Sequence, residues 1–180
     1  MSAFKWRASC LALLCATSMG AAADDDSFEE HHAHEHGVAT LDVAIDGPQL
    51  SLQFRTPAMN LLGFEHVPRT SKDQAAVTKA AQLLREPATQ FAPSPAARCQ
   101  VTQVNVTSPD WTRSAEHSEF EAAYEFRCGQ PSALRRLEVR LFTALDHDVK
   151  LKAQVASAQA QRAVELTRSQ PTLDLAAAAP

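Results

Sequence analysis

Between Val38 and Arg55 apolar and polar side chains alternate almost one for one. Leu41, Val43 and Ile45 are separated by Asp42 and Ala44, Asp46-Gly47-Pro48 supplies a turn, and Leu50, Leu52 and Phe54 are separated by Ser51 and Gln53. Side chains two apart share a face only in an extended strand, so this period predicts a β-hairpin with one apolar face. A second β run follows in Cys99, Val101, Val104 and Val106, then in Phe120, Ala122, Tyr124, Phe126 and Cys128, then in Leu137, Val139 and Leu141. The alternation returns in Val149, Leu151, Ala153 and Val155, and weakly in Ala163, Val164 and Leu166.

One segment breaks the pattern. Thr70 or Ser71 can cap a helix whose apolar residues Ala76, Val77, Ala80, Leu83 and Leu84 keep spacings of one, three and four, and Pro87 ends it. Pro57 to Phe64 is an apolar run stopped by Pro68, and Pro87, Pro93 and Pro95 mark a loop. The expected fold is α+β: a mainly antiparallel β-sheet of about six or seven strands with one main amphipathic helix at about residues 71–86.

The chain has 180 residues, and its first 23 read as an export signal. Lys5 and Arg7 precede an apolar stretch from Ala8 to Met19, and Ala21 and Ala23 offer the small residues of a cleavage site before Asp24-Asp25-Asp26. The apolar stretch is about a dozen residues, short of the roughly 18 to 20 that span a bilayer. Cys10 and Cys15 lack the residues that precede a lipidation site. The expected organisation is a signal peptide at 1–23, a His- and acid-rich segment at 24–37 and a single α+β domain at 38–180, in a periplasmic protein with no membrane insertion after cleavage.

Charge narrows the partners. The chain carries 17 basic and 21 acidic side chains, net −4; losing Lys5 and Arg7 leaves 15 against 21, net −6. That balance argues against a nucleic-acid or anionic-membrane binder, since both need a basic surface to displace counterions from phosphates. Five Gly, ten Pro and 45% hydrophobic residues exclude collagen-like, low-complexity and disordered classes.

Export leaves two cysteines, Cys99 and Cys128, which in an oxidising compartment most simply pair with each other. If the Cys99 strand pairs antiparallel with the Phe120–Cys128 strand, the start of one lies beside the end of the other. The alternative is a pair of thiolate metal ligands or a redox couple, although no C-x-x-C spacing is present.

All seven histidines stay in the mature chain, four of them in His31-His32-Ala33-His34-Glu35-His36 beside Glu29, Glu30 and Asp24 to Asp26. Neutral imidazole is a strong ligand for zinc and similar divalent ions, and Zn–N bonds of about 2.0 to 2.1 Å need rings from nearby backbone positions. In an extended chain His32, His34 and His36 project on one side about 7 Å apart, so two can close on one ion. A solvated polar segment or a purification tag is the alternative, but the run is interrupted, follows the cleavage site and leads straight into a strand. Glu65 and His66 sit where a loop can aim them at this segment. His117 lies just before the strand at Phe120, and His147 sits in the turn-like Asp146-His147-Asp148. Enzyme motifs are absent: there is no G-x-S-x-G, no H-E-x-x-H and no glycine-rich phosphate loop.

Four segments together carry a family resemblance. They are His34-Glu35-His36-Gly37, the run from Pro57 to His66, His117-Ser118-Glu119-Phe120 leading to Tyr124 through Cys128, and Leu137 through Phe142. This combination resembles the ZrgA-like family of zinc-regulated periplasmic proteins. The resemblance implies a zinc-binding protein that helps supply a high-affinity zinc import system, with zinc ion and components of a zinc ABC importer as partners. Carried over by position, His34, His36, His66 and His117 match the family's recurring histidines, and Cys99 with Cys128 its cysteine pair. Glu65 is expected as a direct or outer oxygen ligand, and His32 as a further ligand. Zinc-storing members carry a run of alternating His and Asp before the Phe120 strand; here Ser108 to Glu116 holds no histidine, which argues against high capacity.

The expected function is capture of Zn²⁺ and support of its delivery to an importer, without enzymatic activity. Copper and nickel accept imidazole too, so ligand counting does not separate them. A structural or protein-interaction β-domain of the envelope with incidental histidines is the alternative. A copper/zinc superoxide dismutase-like enzyme shares export, a disulfide and His-x-His, but the glycine-rich loops of that family are missing.

Overall fold

The structure, a computed structural model, describes residues 37–112, 118–146 and 148–178. The expected export segment and His32, His34, His36, His117 and His147 lie outside these residues. In chain order the elements are β1 (Val38–Asp46), β2 (Gln49–Pro57), α1 (Ala58–Leu62), α2 (Ser71–Leu84), α3 (Pro87–Gln90), β3 (Phe91–Pro93), β4 (Cys99–Thr107), β5 (Glu119–Cys128), β6 (Arg136–Val139), β7 (Lys150–Ser157), β8 (Gln161–Leu166) and β9 (Thr172–Asp174).

The hairpin forms as the alternation predicts. Asp46 faces Gln49 across Gly47-Pro48, and Leu41, Val43 and Ile45 face Phe54, Leu52 and Leu50. All six are buried, so the apolar face is the core face. The hairpin sits at the centre of a six-stranded sheet of order β4-β5-β2-β1-β7-β8. Its pairings are antiparallel except that of β1 with β7, which is parallel. A second, antiparallel sheet has the order β3-β6-β9.

Helices and the small sheet cover one face of the large sheet. Phe91 of β3 reaches Phe54 on β2 and Tyr124 on β5, with ring centroids 6.5 and 5.3 Å away. Tyr124 donates from its phenol to the carbonyl of Leu84 at the end of α2, 2.8 Å away, which satisfies a buried hydroxyl and an end-of-helix acceptor together. Burial pushes the Tyr124 pKa above the usual phenol value, so the neutral donor is the form held.

Helix α2 begins where the sequence places it. Thr70 is the N-cap, its hydroxyl accepting from the Asp73 N–H at 3.1 Å while the Asp73 carboxylate accepts from the Thr70 N–H at 3.3 Å. It ends at Leu84 rather than near residue 86, because Glu86 precedes Pro87 and a residue before proline is driven out of the helical region. The proline-marked loop contains α3, with Pro87 at its first turn. The run Leu137, Val139, Leu141 is not strand throughout: β6 stops at Val139, and Arg140–Thr143 is a 3₁₀ turn. The apolar run after Pro57 is helical, as α1. No helix among the described residues is long and apolar enough to cross a membrane.

Cys99 and Cys128 are register partners at one end of the β4–β5 pair and form a disulfide. Each sulfur is bonded to the other, so this bond removes the thiolate-ligand alternative.

Candidate metal site

Helix α1 is only five residues, too short to be stable alone, and its place is set by hydrogen bonds to three other segments. Ala58 N–H donates to the Ser118 carbonyl at 2.7 Å, which anchors the residue immediately after His117. Asn60, 3% exposed, accepts from Gly37 N–H at 3.0 Å, so the residue immediately after His36 is anchored too. The Asn60 amide also donates to the Val38 carbonyl at 2.9 Å and to the Thr56 hydroxyl at 3.0 Å. Its own carbonyl accepts from Asp146 N–H at 2.9 Å, beside His147.

The third segment is held by further bonds, one of them within the segment itself. Arg168 donates to the Leu145 carbonyl at 2.9 Å, Val149 N–H to the Asp146 carbonyl at 3.3 Å, and Lys150 N–H to the Gly37 carbonyl at 2.8 Å. Gly37, Met59, Asn60, Asp146, Asp148 and Val149 line a recess of about 220 Å³. Thus the described flanks of His36, His117 and His147 all meet α1.

The same helix launches the Glu65–His66 loop. Gly63 closes α1 in the left-handed region at φ 76°, its N–H donating to the Met59 carbonyl at 2.8 Å; a side chain there would be strained. Glu65 is half-buried and His66 exposed. The His66 ring stacks on Phe64 with centroids 4.6 Å apart and planes at 16°, and Phe64 stacks in turn with Trp111 at 6.4 Å. His66 Nδ1 lies 3.1 Å from the Val67 carbonyl oxygen. A carbonyl only accepts, so in the neutral ring Nδ1 carries the proton and Nε2 keeps its lone pair. A backbone carbonyl on Nδ1 is the common means of orienting a metal-binding imidazole.

Asp73 of α2 also faces this loop. The Thr70 side chain, and further its backbone N–H and the charges of His66 and Lys72, hold the Asp73 carboxyl below the usual carboxylate value.

Of the residues singled out from the sequence, Glu65, His66, Cys99 and Cys128 are described, and the two cysteines are joined to each other. His32, His34, His36 and His117 lie outside the described residues. Among the described residues, no three His, Cys, Asp or Glu side chains gather to hold a metal. Asn60 and the Asp146–Asp148 recess are features the sequence reading missed; the only signal was one amide in an otherwise apolar run from Pro57 to Leu62.

Fold and anchors define a sheet domain that gathers three histidine-flanking segments at one short helix, from which the loop carrying an oriented imidazole departs. Residues 33–175 match the family described as ZrgA family zinc uptake protein, and the chain belongs to that family. It is a zinc uptake family and not an enzyme family, and it gives the chain a role in zinc uptake. No curated protein matches the chain.

Proposed function

We propose that the protein is exported to the periplasm by its first 23 residues, captures Zn²⁺ there, and supports delivery of that ion to a high-affinity import system. The ligand set is drawn from His34, His36, His66 and His117, with Glu65 as an oxygen ligand or hydrogen-bond partner and His32 as a further imidazole. The protein acts by binding and release and catalyses no reaction. The observation that carries this reading is the shared anchorage on α1: Gly37 after His36 and Ser118 after His117 both bond to the helix that leads, through Gly63, into the His66 loop. Zinc prefers four ligands from nearby backbone positions, and anchored flanks lower the ordering entropy that capture costs.

Neutral imidazoles take the ion above about pH 6.5, and protonation or a stronger acceptor releases it. Calorimetric titration of the metal-free mature chain with zinc should reveal at least one submicromolar site. Affinity only in the high micromolar range would sink the proposal and favour an envelope β-domain with incidental histidines. Replacing His34 and His36 together by Ala should remove most of the binding; full retention would move the site elsewhere.

A further inference from the structure

Among the described residues the six-stranded sheet ends in two edge strands, β4 and β8, and they differ in kind. Edge strands are commonly blunted by charge, proline or shortness, because their outward N–H and C=O groups are a template for another strand. Strand β8 is six residues long and carries Arg162 and Glu165. Strand β4 is nine residues long, reads Cys-Gln-Val-Thr-Gln-Val-Asn-Val-Thr, and has no charged residue, proline or glycine.

Val106 packs partly against the core, but two other valines of β4 are left open. Val101 and Val104 are each 36% exposed, though they pair with buried Phe126 and Tyr124 on the core side of β5. A bulge between Val101 and Gln103 interrupts the ladder and leaves Gln103–Thr107 as a regular stretch paired with Glu121 through Glu125. No hydrogen bond joins the outer backbone of that stretch to another described residue.

We propose that Gln103–Thr107 is a self-association edge, pairing antiparallel with the same segment of a second copy of this chain about a two-fold axis at Asn105. Polarity selects this occupant: the polar–apolar pattern of Gln103-Val104-Asn105-Val106-Thr107 reads the same in both directions about Asn105, so an antiparallel self-pair sets valine against valine and polar against polar and brings no like charges together. An axis perpendicular to the sheet and midway between the two copies of one residue keeps both core faces on one side. Centred on Asn105, it uses all five regular residues, sets Val104 against Val106 of the second copy, and sets Gln103 against its Thr107. Exposed Val104 of each copy then meets half-buried Val106 of the other in one apolar strip, and two six-stranded sheets become one. Five residues a side is a small interface, so association is weak, micromolar or weaker.

Sedimentation velocity of the mature chain with chelator present, so that zinc cannot bridge copies, should show the mean mass rising with concentration toward that of a dimer. Val104→Lys should abolish the rise, whereas Ala163→Lys on the opposite edge should leave it intact, with circular dichroism showing both variants folded. Asn105→Cys should oxidise to a covalent dimer much faster than Gln100→Cys, because only position 105 meets itself across the axis. A wild-type chain that stays monomeric up to about 1 mM, a Val104→Lys chain that associates like wild type, or equal cross-linking at 100 and 105 would each overturn the proposal.

Discussion

The buried amide of Asn60 reaches back 23 residues to accept the Gly37 N–H at 3.0 Å, and so ties the first residue of the described chain to the helix from which the His66 loop departs. Truncation to Ala removes this bond and those to Val38 and Thr56. A typical hydrogen bond contributes about 1 kcal/mol, and a buried group left without a partner costs more, so Asn60→Ala should lose about 2–4 kcal/mol in urea unfolding. Amide exchange at Gly37 and Val38 should quicken with it. Stability equal to wild type would mean that other contacts hold this junction.

The Cys99–Cys128 disulfide closes a loop across 29 positions at the end of the edge pair β4–β5. Loop-closure entropy for that length corresponds to about 3 to 4 kcal/mol. Replacing both cysteines by Ser should lower stability by roughly that amount, read as a drop in the urea midpoint with near-constant slope. Zinc affinity should change little, because neither sulfur is free to ligate. A large loss of affinity in a folded variant would instead tie the β4–β5 end to the site.

The strands that announced themselves are those with one buried face and a full-length partner. Leu41 through Phe54 and Phe120 through Cys128 alternate without a break because each pairs over most of its length with a neighbour in the large sheet. Leu141 continues the same alternation yet leaves the strand, because β6 has only the three-residue β3 and β9 beside it and no ladder to extend along. Those two short strands and the five-residue α1 lie below the length at which a period can be seen. Val101 and Val104 of β4 sit on the core side of the sheet but stay open because their strand is an edge, whereas Val106 packs partly against the core. Parallel pairing of β1 with β7 depends on a connection of about a hundred residues, which no local pattern encodes. In the site, His66 was legible as a residue type, whereas Asn60 was not: its role rests on partners 22 and 23 residues away.

Asp73 gives the start of α2 an acid limit. Its carboxyl is held below the usual 3.8, first by the Thr70 side chain, so the contribution of the capping box is present above that pH and is lost as pH falls through the lowered value. Helical signal from α2 should therefore decline below about pH 3.8, and Asp73→Asn should flatten that decline while slightly lowering helix content at neutral pH. An unchanged acid profile in the Asn variant would show that other carboxylates govern the transition.

Trp111 offers a direct view of His66. The chain has two tryptophans, and Trp6 lies in the segment expected to be removed, which leaves Trp111 as the indole of the mature chain. Phe64 stacks with both Trp111 and the His66 ring, so a change in the position or charge of that imidazole acts on the indole's surroundings through one intervening ring. With Nδ1 committed to the Val67 carbonyl, a metal can take Nε2 without breaking the existing hydrogen bond. Zinc should then alter Trp111 emission in a saturable way, with a midpoint matching the calorimetric one. His66→Ala should abolish the optical change and weaken binding by at least the roughly 10- to 100-fold that loss of a group merely orienting a ligand costs. His66→Gln, which can still stack and hydrogen-bond but is a poor zinc ligand, should keep the resting emission and lose the response. A full response in either variant would remove His66 from the ligand set and leave its stack a purely structural feature of the loop.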